Sequence, residues 1–366
     1  MVVSLAPARP GWIRRLVAWL RPPPTPGAPP PRARGTGARP AVTEPATTPD
    51  LEALLAALLD PAPPAVAELD PPEDATTRVL FSLLAARDTS TSVYRPALAR
   101  VAELLELGPD DWNGTVAVVT REPAIIAAVL ATANSPEFRR GSPVAEIREA
   151  IERLGLAQVR QLALALTARA LHEPEAAGPG SARSERGQRD LHRALTTAFA
   201  SGGFAMQRGL ARPDLVFVAA LFIDVGRPLV YRDLARLEHA AARAPIGDAS
   251  AEQLVDLVHA RLGADTLAAW GLPDEVVALC RHHHDDELPA AIDHREWHAV
   301  RVVSGLVHVR AGLPITAALR TSVAALALDR HALRALIHSI DELALRAARM
   351  LGVPGEAAAW SATPPA

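Results

Sequence analysis

The sequence predicts an all-α protein, and three observations carry that prediction. Apolar residues recur at i, i+3, i+4 and i+7 spacing from Leu51 onward. No segment alternates apolar and polar residues over the length of a strand. Proline and glycine stand where helices would begin and end.

Leu51, Leu54, Leu55 and Leu58 start the pattern, prolines between Pro61 and Pro72 interrupt it, and Val79, Leu80, Leu83 and Leu84 resume it. Leu98, Val101, Leu104 and Leu105 form the next apolar face, which ends near Gly108. Pro123 is a good first-turn residue for the helix carrying Ile125, Ile126, Val129, Leu130 and Ala133. Ser142-Pro143 reads as a cap and first helical position before Val144, Ile147, Ile151 and Leu154, with Gly155 as the stop. Leu156 to Leu171 is apolar nearly all round and reads as a buried helix. Leu215 to Ile223 is an unbroken apolar run whose alanines favour a buried helix over a strand. The polar stretch Glu173 to Gln188 is expected to join two helical lobes, at residues 51–175 and 189–352.

Residues 1–50 differ in composition. Pro22-Pro23-Pro24 and Pro29-Pro30-Pro31, with scattered Gly and Thr, cannot bury enough apolar surface to offset ordering, so a disordered segment is expected. Within it, Trp12, Leu16 and Trp19 share one face of a short amphipathic helix with arginines opposite, which would suit docking to a membrane surface or a partner.

Composition excludes several function classes. A net charge of −3 gives no global sign of nucleic-acid binding. The chain has no lysine, which removes Schiff-base and P-loop chemistry. Its one cysteine, Cys280, excludes an internal disulfide, reads as a small core residue and fits a reducing compartment, so a cytoplasmic location is expected. No run of about 18 apolar residues suggests a membrane span, and no secretory signal is evident.

Four segments, in order, carry a resemblance. They are Glu122-Pro123 through Ala133-Asn134-Ser135, Ile147-Arg148-Glu149-Ala150-Ile151-Glu152-Arg153-Leu154-Gly155, Ala219-Ala220-Leu221-Phe222-Ile223-Asp224-Val225-Gly226, and Trp270-Gly271-Leu272-Pro273 through His282-His283-His284. Together they resemble the HDOD domain family, over about residues 94–288. The resemblance implies a multi-helical HD-like domain related to the HD metallophosphohydrolases but degenerate at the metal site, with a role in bacterial signalling. It also implies that Ile223 stands where the histidine of the His-Asp doublet would be, leaving Asp224 alone. The downstream carboxylate position falls near Gly305, and no Asp or Glu occurs between Glu296 and Asp329.

Asp224, His283 and His284 are therefore candidates for a relic pocket, with His192 as a fourth whose register is open. Too few donors remain on this count for a working site, so no metal and no cofactor are expected. Plainer readings stand beside these. Asp224 could cap the turn at Gly226, the histidines could interact with a helix end and with Asp285, Asp286 and Glu287, and Asn134 could bond backbone in a turn. Three consecutive histidines on a helix would point to different faces. The expected function is a non-catalytic signalling or scaffold protein acting on a protein partner. The alternatives are a metal-dependent phosphohydrolase or cyclic-nucleotide phosphodiesterase, and a nucleotide-binding sensor without turnover, to which Arg227 and Arg281 would contribute.

Overall fold

A computed structural model describes residues 51–59, 103–104, 106–108, 110–139, 141–172, 182–240 and 248–351. Trp12, Leu16 and Trp19, the proline-rich segment and the apolar residues 79–84 lie outside them. The described residues are helical, with no strand among them.

In chain order the helices are α1 (Leu51–Leu59), α2 (Trp112–Thr120), α3 (Pro123–Ala133), α4 (Ile147–Leu154), α5 (Leu156–His172), α6 (Ala182–Gln207), α7 (Pro213–Phe222), α8 (Gly226–Ala240), α9 (Asp248–Ala269), α10 (Asp274–His282), α11 (Arg295–Arg310), α12 (Ala317–Ala325) and α13 (Arg330–Leu351). A short 3₁₀ turn, Ala290–Ile292, precedes α11. No single helix among the described residues is long and apolar enough to cross a membrane.

The axis of the fold is α6, which at 26 residues runs roughly 39 Å at 1.5 Å per residue. It packs against α5, α7, α11 and α13. Helix α7 is buried along its length because its sequence, LVFVAALF after Pro213-Asp214, has no polar face to offer water. Phe199 of α6 and Phe217 of α7 meet edge to face, 5.2 Å between ring centres. One apolar cluster runs from Leu104 through α3, α5, α6 and α7 to Trp297 and Val300 of α11. A second joins α1 to α11, α12 and α13, and a third lies between α8 and α9.

Asn134 acts as a structural residue. Its side-chain amide donates to the Val144 carbonyl and its side-chain carbonyl accepts from the Val144 N–H, both at 2.7 Å, so the end of α3 is tied to the loop before α4. That bond accounts for one difference from the sequence expectation. Ser142-Pro143 does not open a helix, because Val144 is held in this extended link and α4 starts only at Ile147. Gly155 ends α4 with φ of 82°, as a stop glycine should. The polar stretch expected to run to Gln188 is shorter than that, since α6 already begins at Ala182.

Two glycines fix the ground on which the site stands. A Cβ on Gly226, the first residue of α8, would lie 1.9 Å from the backbone oxygen of His259. One on Gly263 would lie 3.0 Å from Sγ of Cys280 and 3.1 Å from the Gly226 nitrogen. Only bare backbone lets α8 cross α9 at His259 and lets α10 close over both.

Candidate metal centre

Asp224 sits in the turn between α7 and α8, with Ile223 before it only 2% exposed and packed in the main core. The Asp224 carboxylate does not cap that turn. It faces three imidazoles: Oδ1 lies 3.3 Å from Nε2 of His283 and 3.6 Å from Nε2 of His259, and Oδ2 lies 3.3 Å from Nε2 of His308. His284 joins from the same turn as His283, its Nε2 3.0 Å from Nε2 of His259. Donor atoms of Asp224, His259, His283 and His284 all lie within 4.8 Å of one another.

The histidines are oriented by their own backbone. Nδ1–H of His259 donates to the Val255 carbonyl at 2.8 Å, and Nδ1–H of His283 donates to the Cys280 carbonyl at 2.6 Å. With the proton on Nδ1, each Nε2 presents a lone pair to the centre, the arrangement that metal-binding histidines use. Nε2 of His283 and Oδ1 of Asp224 are both buried without a hydrogen-bond partner. Two facing acceptors repel unless a cation or a proton lies between them, so the donor set fits a metal ion.

Electrostatics agree. Burial pushes the His259 pKa down to about 3 against the opposing pull of Asp224, so at neutral pH its lone pair is free. His284 stands at the solvent edge, yet desolvation of its ring, then the neighbouring His283 and His259, holds its pKa well below the ordinary value. Burial would raise the Asp224 pKa, but His308 and His283 outweigh it and keep the carboxylate ionised. His259 and His284 thus offer neutral imidazoles beside an anionic Asp224, forms that bind metal.

The structure brings together Asp224, His283 and His284, which the sequence singled out, and adds His259 and His308, which it did not. His283 and His284 both turn inward, against the expectation for consecutive helical residues. Helix α10 stops at His282, so the two rings escape the helical rotation and lie 3.9 Å apart, centre to centre. His282 points elsewhere, to Asp285 at 2.8 Å. His192 is buried on α6 and is not one of the converging donors. His259 had a signal, a histidine four residues after Val255 on an otherwise apolar helix face. His308 lies in the stretch that lacks a carboxylate, its Nε2 3.3 Å from Oδ2 of Asp224.

The surroundings hold the centre in place. Arg301 of α11 donates to the backbone oxygen of Asp285, anchoring the turn that carries His283 and His284. Cys280 is 1% exposed and its thiol lies 3.3 Å from the Ile223 carbonyl. Burial raises its pKa, so it is a packing residue with no thiolate to offer. Neither arginine considered for phosphate is free of carboxylates: Arg227 pairs with Glu252 and Asp256, and Arg281 with Asp265.

A buried helical body with an Asp/His cluster where α7, α8, α9 and α10 meet defines an HD-like helical domain. The sequence matches the HDOD domain family over residues 96–286, and the chain belongs to that family. Among solved structures it resembles an HDOD domain protein of unknown function from Geobacter sulfurreducens, at 20% identity and a TM-score of 0.54, covering 76% of this chain and 99% of that one. A Marinobacter aquaeolei VT8 protein named for signal transduction is similar at 20% identity and a TM-score of 0.54, covering 78% of this chain and 67% of that one. The comparison with curated proteins found no match.

Proposed function

We propose that this HDOD protein is a non-catalytic signalling module of the cytoplasm, which presents its helical body to a protein partner and carries one divalent metal ion in a closed centre. The observation that carries this reading is the donor set. Asp224, His259, His283 and His284 supply four converging donors, the number that fills a structural zinc shell, whereas catalytic zinc sites use three and keep a position for water. Imidazole-rich donors favour zinc or a similar borderline ion over magnesium or calcium. Such an ion would supply cohesion, clamping the α7–α8 turn, α9 and the end of α10 together. Here the expectation of no metal is revised, because the earlier donor count lacked His259. The expectation of no catalysis is kept. Ile223 fills core space at the doublet position, where it has no lone pair to offer.

The metal-dependent phosphohydrolase remains a second reading, because His308 and His284 lie at the open side of the centre and could attend a substrate. One experiment separates the two. Tag-free protein is assayed for bound metal and for hydrolysis of phosphomonoesters and cyclic dinucleotides with Zn²⁺, Mn²⁺ or Fe²⁺ supplied. About one metal per chain without turnover is expected. Turnover abolished by Asp224→Ala would establish the enzyme, and metal-free protein that takes up none would remove the metal centre.

A further inference from the structure

His308 faces the metal centre without belonging to its donor set. Its Nε2 lies 3.3 Å from Oδ2 of Asp224, yet the donor atoms that fall within 4.8 Å of one another are those of Asp224, His259, His283 and His284. The two oxygens of the Asp224 carboxylate are divided. Oδ1 is buried without a hydrogen-bond partner and faces Nε2 of His283 at 3.3 Å and Nε2 of His259 at 3.6 Å. Oδ2 faces His308. Backbone carbonyls hold the proton of His259 and of His283 on Nδ1. No carbonyl does so for His308 among the described residues, so its proton can stand on Nε2 and be donated to Oδ2. Burial would raise the Asp224 pKa, and His308 is the strongest of the groups that lower it.

The fold fixes where this imidazole stands. His308 lies in the last turn of α11, a helix buried along most of its length. Its own backbone oxygen accepts from the Leu313 N–H at 3.1 Å, which closes that helix end. One turn back, a Cβ on Gly305 would lie 2.9 Å from Cδ1 of Leu319, so α12 lies tight across α11. Arg310, two residues on, is tied to Asp341 of α13. An imidazole carried on so closely packed an element can fix the orientation of the carboxylate it meets.

We propose that His308 is the positioning residue of the metal centre: by taking Oδ2 it leaves Oδ1 as the single carboxylate donor, and so it sets four-coordination and favours a borderline ion over a hard one. A carboxylate with both oxygens free can grip an ion with both. That adds an oxygen and raises the coordination number, which suits Mn²⁺ better than Zn²⁺. This role rests on the metal reading above and holds whether or not the centre turns over a substrate.

The test uses full-length wild type, His308→Leu and His308→Gln, loaded with Co²⁺ as a coloured stand-in for Zn²⁺ and checked for folding by circular dichroism. Four-coordinate Co²⁺ absorbs visible light several-fold more strongly than five- or six-coordinate Co²⁺. Wild type should bind about one Co²⁺ per chain with the strong band. His308→Leu should bind one with a several-fold weaker band. Its Zn²⁺ affinity, read by chelator competition, should fall roughly 10–100-fold, and its Mn²⁺ affinity less. His308→Gln, which keeps a side-chain N–H to donate, should retain the strong band. His308→Ala is run beside His308→Leu in case leucine disturbs the packing, and the same outcomes apply to it. A strong band with wild-type Zn²⁺ affinity in His308→Leu would overturn the proposal. So would loss of the metal from His308→Leu and His308→Gln alike, the mark of a direct ligand. A wild type that binds no Co²⁺ would overturn the metal reading and this role with it, whereas a metal-bound wild type beside an unchanged His308→Leu overturns this role alone.

Discussion

Gly226→Ala tests whether the site depends on the close crossing of α8 and α9. The added Cβ would lie 1.9 Å from the His259 oxygen and 2.6 Å from its carbonyl carbon. Carbon and oxygen need about 1.5 Å more than that, and both obstacles are backbone, so no rotamer change can relieve the clash. The helices must part, and α9 carries His259 with it. Overpacking costs typically 1–3 kcal/mol, and a backbone obstacle puts this variant near the upper end, at about 3 kcal/mol. For a chain of this size that corresponds to a fall in Tm of roughly 4–6 °C. Thermal melting followed at 222 nm reads the fall, and metal titration of the same sample should show weaker binding. A Tm within a degree of wild type, with metal affinity unchanged, would refute the argument that this crossing positions His259.

Acid should destabilise the metal-free protein earlier than ordinary carboxylate titration would. His259 is neutral in the native state with a pKa of about 3, against 6.5 unfolded, so the unfolded chain takes the proton first. Stability is then full above about pH 6.5 and declines as pH falls toward 3, by at most about 1.4 kcal/mol per pH unit for this group, with His284 and His172 shifted in the same direction. Chemical denaturation at pH 7.5 and pH 5 measures the slope, which His259→Asn should flatten; equal stability at both pH values would contradict it. Asn134→Ala removes both bonds to Val144 and leaves a buried N–H, at a cost of about 1–3 kcal/mol visible in the denaturation midpoint. Cys280 should resist thiol reagents in the folded protein and react on unfolding, because it is buried with a raised pKa.

The helices were legible because their burial is one-sided or complete, and periodicity reports both. Pro123, Gly155 and the run to Ile223 showed where chain and core agree. Ser142-Pro143 misled because a local capping signal lost to a tertiary bond from Asn134, which no local window contains. The site was half legible. Asp224, His283 and His284 fall in segments that carry the family resemblance, while His259 and His308 lie within α9 and α11, where only packing decides which face meets the centre. The helix end at His282 decided that two adjacent histidines could face one point. Arg227 was a phosphate-binding candidate only under the sensor alternative, and its carboxylates on α6 and α9 became its partners only through the fold.

The most direct measurement of the central claim is X-ray absorption at the metal edge of the zinc-loaded, full-length protein. The account predicts a four-coordinate N/O shell with the scattering of three imidazoles and one carboxylate oxygen, reduced by one imidazole in His259→Ala. A six-coordinate shell dominated by water oxygens, or a spectrum unchanged in His259→Ala, would contradict it.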